Sequence, residues 1–257
     1  MIFGISIETF IIVLPLVFLG GLIDAIAGGG GLISLPAYLI SGLPTHIALG
    51  NNKFSSCWGT IVSTLRYFKH GMIDVKIAVI SAVFALIGSY SGTKAVLLLN
   101  PEFLRYILIF LLPVITLFTI LKKDIGSVDT SHTISGIRKV ILSIMASLLI
   151  GFYDGFFGPG TGSFLILFYA IILKYDFVVA NGNTKVINSA SNIAAMVTFL
   201  INGKVLLALG IPAAIVGIAG NLIGSKLVIK RGSRFIRPVF IGVFVLLFLK
   251  IIYDVVY

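Results

Sequence analysis

The chain has 257 residues, of which 58% are hydrophobic and only 11% are charged, and its mean hydropathy is +1.14. Soluble domains are about one quarter charged, so this composition indicates a polytopic membrane protein with almost no room for a soluble domain. The formal charge of +10 comes mostly from Lys and Arg between apolar segments, where they report membrane topology and form no basic face for nucleic acid. The single cysteine, Cys57, excludes an internal disulfide and a cysteine-based metal cluster.

Apolar segments follow one another along the chain and divide into two sets of five. The first predicted set is 5–26, 32–40, 47–67, 77–99 and 103–121, and the second is 140–157, 163–173, 180–201, 205–229 and 235–253. The second segment of each set is shorter than the roughly 20 residues that a full crossing needs. It is therefore predicted to be a half-helix, a tilted short crossing or a re-entrant piece. A polar linker at 123–139 separates the first unit, 1–122, from the second, 140–257.

A run of four glycines, Gly28 to Gly31, follows Asp24 and precedes Ser34. Glycine weakens helix continuity, and unpaired backbone N–H groups are costly in hydrocarbon unless something binds them. A broken helix whose N–H groups face a cavity is a natural anion site. The alternative interpretation is a turn that lets membrane helices pack closely, and the motif alone does not decide between the two.

The same pattern returns in the second half of the chain. Asp154, Gly158 and Gly160 follow Asp24, Gly28 and Gly30 by 130 positions. From Ala48 to Arg105 the offset becomes 132, and the matched pairs include Asn51 with Asn183, Lys53 with Lys185, Gly71 with Gly203, and Lys94 with Lys226. Because polar residues keep this register as well as apolar ones, the chain is predicted to use one structural unit twice.

Charges in the loops predict how the two units face the membrane. The loop around Gly71 carries Arg66, Lys69 and Lys76, whereas the loop around Gly203 carries only Lys204. In the next loop the bias reverses, because the second unit has Lys226, Lys230, Arg231, Arg234 and Arg237. Since positive loops stay in the cytoplasm, these charges predict five crossings per unit, inverted repeats and two external termini. Re-entrant short segments would instead make the repeats parallel.

Two lysines, Lys53 and Lys185, lie early in segments that otherwise have the composition of membrane helices. An intramembrane cation usually lines a pathway or pairs with an acid, and the alternative is a lysine that reaches the interface from a helix end. Asp24 and Asp154 are the acids outside the loops and chain ends. They are expected to pair with the lysines, to exchange protons, or to satisfy N–H groups of the glycine loops.

The other candidates lie at the glycine runs and at the helix starts that follow them. Asparagine and threonine there are typical helix caps, which is compatible with lining an anion site, while amides and hydroxyls farther along a membrane helix more often bond to a neighbouring helix. The candidate anion-binding residues are Gly29, Gly30, Gly31, Asn51, Asn52, Lys53, Ser56, Gly160, Thr161, Gly162, Asn183, Thr184, Lys185 and Asn188, with Asp24 and Asp154 as coupling or structural acids. We expect the residues of both units to form one positively polarised pocket near the midplane.

No pattern of catalytic residues is present in the sequence. His46, His70 and His132 do not have the spacing of a metal-ligand cluster. The sequence also lacks Ser/His/Asp spacing, a nucleotide phosphate loop and a His-Glu-x-x-His helix. An enzyme, a cofactor and a metal ion are therefore not expected.

Two runs carry a resemblance to a known family, namely Gly-Gly-Gly-Gly-Leu-Ile-Ser-Leu-Pro at 28–36 and Gly-Phe-Tyr-Asp-Gly-Phe-Phe-Gly-Pro-Gly-Thr-Gly-Ser-Phe at 151–164. They resemble the TauE/SafE sulfite exporter (TSUP) family of membrane transporters, and the second run is most similar to its YfcA-like branch. The resemblance implies a prokaryotic-type permease for sulfite, thiosulfate or sulfonates in the cell membrane. Gly29 and Gly31 become Pro159 and Thr161 in the second unit, so the two loops need not contribute equally.

These observations lead to one hypothesis, an all-α polytopic membrane protein of about ten segments that acts as a secondary transporter for small sulfur-containing anions by alternating access. An anion channel and a non-transporting membrane scaffold are the alternatives. The expected partners are a small anionic substrate and the lipid bilayer, without nucleic acid, and a homo-oligomer is left open.

Overall fold

The computed structural model describes residues 5–100 and 128–232, which form eight α-helices. The first unit contains α1 (Ile7–Ala27), α2 (Gly31–Ile40), α3 (Thr45–Lys69) and α4 (Val75–Leu97). The second contains α5 (Gly136–Phe156), α6 (Thr161–Leu167), α7 (Phe177–Ile201) and α8 (Leu207–Arg231), with a 3₁₀ turn at Ser131–Thr133 and a π-helical turn at Phe168–Ile172. These helices confirm segments one to four of each predicted set. The fifth segments, 103–121 and 235–253, lie outside the described residues.

Local sequence explains where the helices begin. The Ser6 hydroxyl accepts a hydrogen bond from the Thr9 N–H at 3.2 Å and begins α1, as expected of an N-cap. Asp176 begins α7 in the same way, with two backbone N–H donors at 2.7 and 3.0 Å. Ser135 accepts from the Arg138 N–H at 3.4 Å, so α5 begins at Gly136 and not at the predicted position 140.

Five of the described helices, α1, α4, α5, α7 and α8, are long and apolar enough to cross a membrane by length and composition. Helix α3 matches α7 in length, with 25 residues each, but its polar first half keeps it out of this set. Helix α2 has ten residues, which gives about 15 Å of helix, roughly half of the ~30 Å hydrocarbon core. The structure therefore confirms that the second segment is a short helix.

The helices expose apolar side chains and bury polar ones. Ile11, Leu149 and Ile215 are 66%, 66% and 62% exposed, whereas Asn51 and Asn181 are fully buried. The buried polar residues concentrate on α3 and α7. An apolar outer face around a polar interior is typical of a membrane protein, in which polar groups turn towards the bundle.

Contacts between helices give their relative directions. From one contact to the next, residue numbers increase along α8 and also along α1 and α3, so these three helices are parallel. The pairs are Phe18 with Gly220, Leu22 with Gly224, Asn51 with Gly210, and Ser63 with Asn221. By the same criterion α4, α5 and α7 are parallel, through Gly88 with Leu148, Gly92 with Phe152, Asp74 with Asn183, and Ser89 with Ser191.

The two groups of helices run in opposite directions. Lys53 near the start of α3 donates a hydrogen bond to Asn192 at 3.2 Å, and Thr64 near the end of α3 lies 2.8 Å from the hydroxyl of Ser189. From one contact to the next, residue numbers increase along α3 and decrease along α7, so these two helices are antiparallel. Helices α1, α3 and α8 point one way, and α4, α5 and α7 point the other way.

Candidate functional site

The two glycine runs are in direct contact. Gly28 has φ +70°, and a Cβ there would overlap the backbone of Gly162. Gly29, with φ +80°, faces the hydroxyl of Ser163, which donates a hydrogen bond to the Ala27 carbonyl at 3.2 Å. Glycine is required at Gly28 both for its left-handed φ and for the close approach of a second backbone. The contact joins the end of α1 to the start of α6.

Beside each glycine run, an aspartate forms an ion pair with a buried lysine of the other unit. Lys53 Nζ on α3 lies 2.8 Å from Asp154 Oδ1 on α5, and Lys185 Nζ on α7 lies 2.8 Å from Asp24 Oδ2 on α1. The lysines are 2% and 0% exposed. The pairing is reciprocal, because the two lysines occupy matched positions and so do the two acids. Of the roles considered for the acids, the structure shows the pairing with lysine.

This pairing bears on the prediction of a positively polarised pocket, which stays a prediction. Each lysine has a carboxylate at 2.8 Å, so the two cations are neutralised within the site. The backbone N–H groups at a helix start are the other source of positive potential, and they lie beside Gly30 and Gly31 at α2 and beside Gly162 at α6. The Thr161 N–H already donates to the Gly158 carbonyl at 3.2 Å. An anion that approaches a lysine must therefore compete with a carboxylate.

The two acids have different surroundings. The Asp154 side chain is 5% exposed, and its second oxygen accepts a hydrogen bond from the Ser191 hydroxyl. The Asp24 side chain is 16% exposed, and Lys185 also donates to the Asp24 backbone carbonyl. The Asp24 pair is thus the more accessible of the two.

Two side chains that the sequence does not single out hold the end of α1. Asn181 Nδ2 donates to the carbonyls of Ala25 and Ile26 at 2.9 and 3.1 Å, and the Tyr67 hydroxyl donates to the Ala25 carbonyl at 2.6 Å. They satisfy carbonyls that a helix end leaves without an intrahelical partner. The repeat does not reveal Asn181, because its match 132 positions earlier is the apolar Leu49. An amide inside an apolar segment is the signal that was available.

A cavity lies beside Asp24 among α1, α2, α3 and α8. The space between its walls is about 290 Å³ when the open solvent at its mouth is counted with it. Its walls include Gly20, Asp24, Gly30, Ser34, Ser56 and Asn221, together with the predicted Gly31. The Ser34 hydroxyl donates to Asn52 Oδ1 at 2.6 Å, which places Asn52 directly behind this wall. The predicted residues of the first unit are therefore largely brought together here.

The predicted residues of the second glycine run, Gly160, Thr161 and Gly162, lie at the start of α6. Gly160 has φ +82° and precedes the helix, and the Thr161 hydroxyl donates to the Gly158 carbonyl at 2.8 Å. The Asn188 side chain lies against Gly162, and its Oδ1 is buried without a hydrogen-bond partner. Gly158 of the same run faces Lys53 Nζ, and the Ser191 hydroxyl links Asp154 to the Asn188 carbonyl.

Three predicted residues are not brought to the ion pairs by any contact that the structure shows. Asn51 Nδ2 donates to the Ile47 carbonyl of its own helix at 2.9 Å. Asn183 Oδ1 accepts from the Asp74 N–H at 2.9 Å, so it fastens the start of α4. The Thr184 hydroxyl is buried and has no hydrogen-bond partner. Asn51 and Asn183 therefore have structural contacts in this conformation.

Metal binding finds no support in residues 5–100 and 128–232, where no group of three or more His, Cys, Asp or Glu could hold an ion. His46 Nε2 lies 3.0 Å from the Val96 carbonyl, and His70 Nδ1 lies 2.8 Å from the Arg66 carbonyl. The buried Cys57 is a free thiol.

Comparison with known proteins gives one consistent result. The profile of the family described as "Sulfite exporter TauE/SafE" matches residues 13–251. The chain is 33% identical over 236 residues to "Probable membrane transporter protein YfcA" of Escherichia coli K12, covering 92% of this chain and 87% of that protein. It is 35% identical to "Probable membrane transporter protein ORF9" of Sinorhizobium sp over 237 residues, covering 92% and 90%.

A third relative extends the likeness over nearly the full length. The chain is 32% identical over 250 residues to a "Probable membrane transporter protein" of Haemophilus influenzae, covering 97% of both chains. No solved structure matches the chain with significance.

Proposed function

The chain belongs to the sulfite exporter TauE/SafE family, and we propose that it is a secondary transporter for small sulfur-containing anions such as sulfite, thiosulfate or organosulfonates. Its relatives carry the names of membrane transporters and not of enzymes, which supports transport as the class of function. The family description supports the sulfur chemistry. The proposed location is the prokaryotic cell membrane, with both termini outside.

The proposed architecture is two inverted repeats of five segments each. Helices at matched positions run in opposite directions, α1 against α5, α3 against α7 and α4 against α8, which supports the inversion. The reversal of positive charge between the loops at Gly71 and Gly203 supports it independently. The fifth segment of each unit completes about ten crossings in this proposal.

The observation that carries the proposal is the meeting of both glycine runs and both ion pairs between the two units. Transporters built from inverted repeats bind their substrates at the repeat interface, where broken helices point backbone N–H groups at anionic groups. Here the starts of α2 and α6 supply such groups. Lys53 and Lys185 supply buried cations at the same interface.

Anion binding at the Asp24 pair is proposed to be an exchange of partners. A sulfur oxyanion spreads its charge over several oxygens, so it can accept hydrogen bonds from Lys185 and from N–H groups at Gly30 and Gly31 together. Two negative charges beside one lysine are unfavourable, so Asp24 either turns away or takes up a proton. Asp24 is thus suited to couple anion binding to proton movement, and Asp154 is the second coupling acid or a structural one.

Alternating access follows from rocking of one unit against the other. The contacts between units include pairs of small residues such as Gly28 with Gly162 and Gly21 with Gly217, at which backbones touch without interlocking side chains. Such contacts allow helices to slide with little repacking. The ion pairs bridge the same interface and would break and reform as the site opens to each side.

Ligand-dependent stabilisation of the purified protein tests the substrate class. Sulfite, thiosulfate, sulfoacetate and taurine are compared with sulfate and chloride at equal ionic strength. A bound anion at a hundredfold excess over its Kd is expected to add about 2.7 kcal/mol to the free energy of unfolding by mass action. At least one sulfur anion should raise the melting temperature well above chloride, and equal shifts for every salt would contradict specific binding.

A variant without the Lys185–Asp24 ion pair is the control for this assay. Lys185→Ala/Asp24→Ala removes both charges together, so it avoids leaving one of them unpaired in the interior. It should fold and lose the anion-specific shift. If the double variant keeps the shift, the anion binds elsewhere.

A further inference from the structure

Within the described residues a cavity open to the outside lies beside Asp24, and the residues of the two units match. The wall beside Asp24 is built from positions that each have a counterpart in the other unit, namely Gly21 with Gly151, Asp24 with Asp154, Gly30 with Gly160, and Ser56 with Asn188. We propose that a second binding cavity for the same anion, closed in this conformation, lies around Asp154 and Asn188, and that the two cavities open to opposite sides of the membrane. This inference rests on the proposed transport function.

The region around Asp154 has the same chemistry as the open cavity but is packed shut. The Asp154 side chain is 5% exposed against 16% for Asp24, and Asn188 is 5% exposed. On the neighbouring helix pair, a Cβ at Gly155 would overlap the backbone of Ser89. Helices α1 and α8 meet about as closely at Phe18 and Gly220, so the closure is seen in the lower exposure of Asp154 and not in this helix pair.

An unpaired polar atom marks the closed region. Asn188 Oδ1 is buried and has no hydrogen-bond partner, although a buried carbonyl oxygen without a partner is unfavourable. Its counterpart Ser56 lines the open cavity, where water or an anion can reach it. An amide at position 188 gains its missing partner when the second cavity opens, which explains a polar residue at this site.

The backbone at the two glycine runs allows part of the change in which one cavity closes and the other opens. Gly30 has φ −54° before α2, whereas its counterpart Gly160 has φ +82° before α6. Because both residues are glycine, each can adopt the conformation of the other. Gly29 has φ +80°, which Pro159 cannot adopt, so the loops stay different and helix movement must supply the rest of the opening.

Accessibility of single cysteines from each side of the membrane tests the proposal. In a Cys57→Ala background, Ser56→Cys and Asn188→Cys are exposed to a membrane-impermeant maleimide in right-side-out and inverted vesicles. His70→Cys and Asn202→Cys, at exposed ends of α3 and α7, mark the two faces. Ser56→Cys should react from one face and Asn188→Cys from the other, with Asn188→Cys roughly ten- to a thousandfold slower because its open state is a minor population.

Reaction of both cysteines from the same face, or of Asn188→Cys from neither face, would overturn the second cavity. If Asn188→Cys does not fold, Val17→Cys and its fully buried counterpart Ser147→Cys form a second pair with the same expectation. Anion flux through the Cys57→Ala protein separates the two levels of the argument. Normal flux together with labelling of both cysteines from the same face contradicts only the second cavity. Absence of flux through the wild-type protein contradicts the transport function and, with it, this inference.

Discussion

Lys53→Ala is expected to abolish anion transport and to lower the free energy of unfolding by about 3–5 kcal/mol, the range seen when one partner of a buried ion pair is removed. The reason is that Asp154, 5% exposed, would keep its charge in the interior without the lysine at 2.8 Å. Flux in proteoliposomes and denaturant unfolding of the purified protein measure the two effects. Lys69→Ala is the matched control, because Lys69 lies on the same helix but is exposed, and it should change neither.

The double variant Lys53→Ala/Asp154→Ala separates stability from transport. Removing both charges avoids an unpaired buried group, so much of the lost stability should return. Transport should not return, because the cation that receives the anion is still missing. Wild-type flux in the double variant would remove Lys53 from the mechanism and leave the ion pair as a structural bridge.

Gly28→Ala is expected to eliminate transport and to destabilise the protein by more than backbone strain alone. The residue has φ +70°, and the added Cβ would overlap the backbone of Gly162, so the two glycine runs must separate. At Gly28, the φ of +70° with ψ of 179° is a combination open almost only to glycine, and the strain there accounts for about 1–3 kcal/mol. The overlap adds to it, and thermal unfolding together with flux measures the sum.

Gly42→Ala is the control for that strain. Gly42 has φ +84°, but an added Cβ meets nothing within 4 Å. This variant should therefore show the strain without the separation of the glycine runs, and its transport should be close to that of the wild type. Equal effects of both substitutions on stability and flux would show that the contact between Gly28 and Gly162 has no special role.

Most of the fold within the described residues could be predicted from apolar segment lengths and from the internal match. The break at 28–31 follows from four glycines, and the short α2 follows from Gly31 and from the Ser41-Gly42-Leu43-Pro44 run that ends it. The predicted start of α5 at position 140 is too late, because Ser135 caps the helix from inside a polar linker, before the apolar residues begin.

Some residues of the site could be predicted from the sequence, but not which lysine pairs with which aspartate. Lys53 and Lys185 stand out because charge is rare in apolar segments, yet the sequence allows Lys53 to pair with Asp24 as readily as with Asp154. The packing of α3 and of α5 against α7 decides that question. Asn183 shows the opposite problem, because matching it to Asn51 suggests a site residue while the structure places its amide at the Asp74 N–H.

Counterflow in proteoliposomes tests the central claim most directly, namely that the interface of the two units is a saturable, alternating site for a sulfur anion. Vesicles are loaded with the unlabelled anion that stabilises the protein best, and a trace of the same anion labelled with radioactive sulfur is added outside. The account predicts a transient accumulation of label that saturates with concentration and that the Lys53→Ala/Asp154→Ala protein lacks. Uptake that rises linearly without accumulation, as through a channel, or no uptake at all would contradict it.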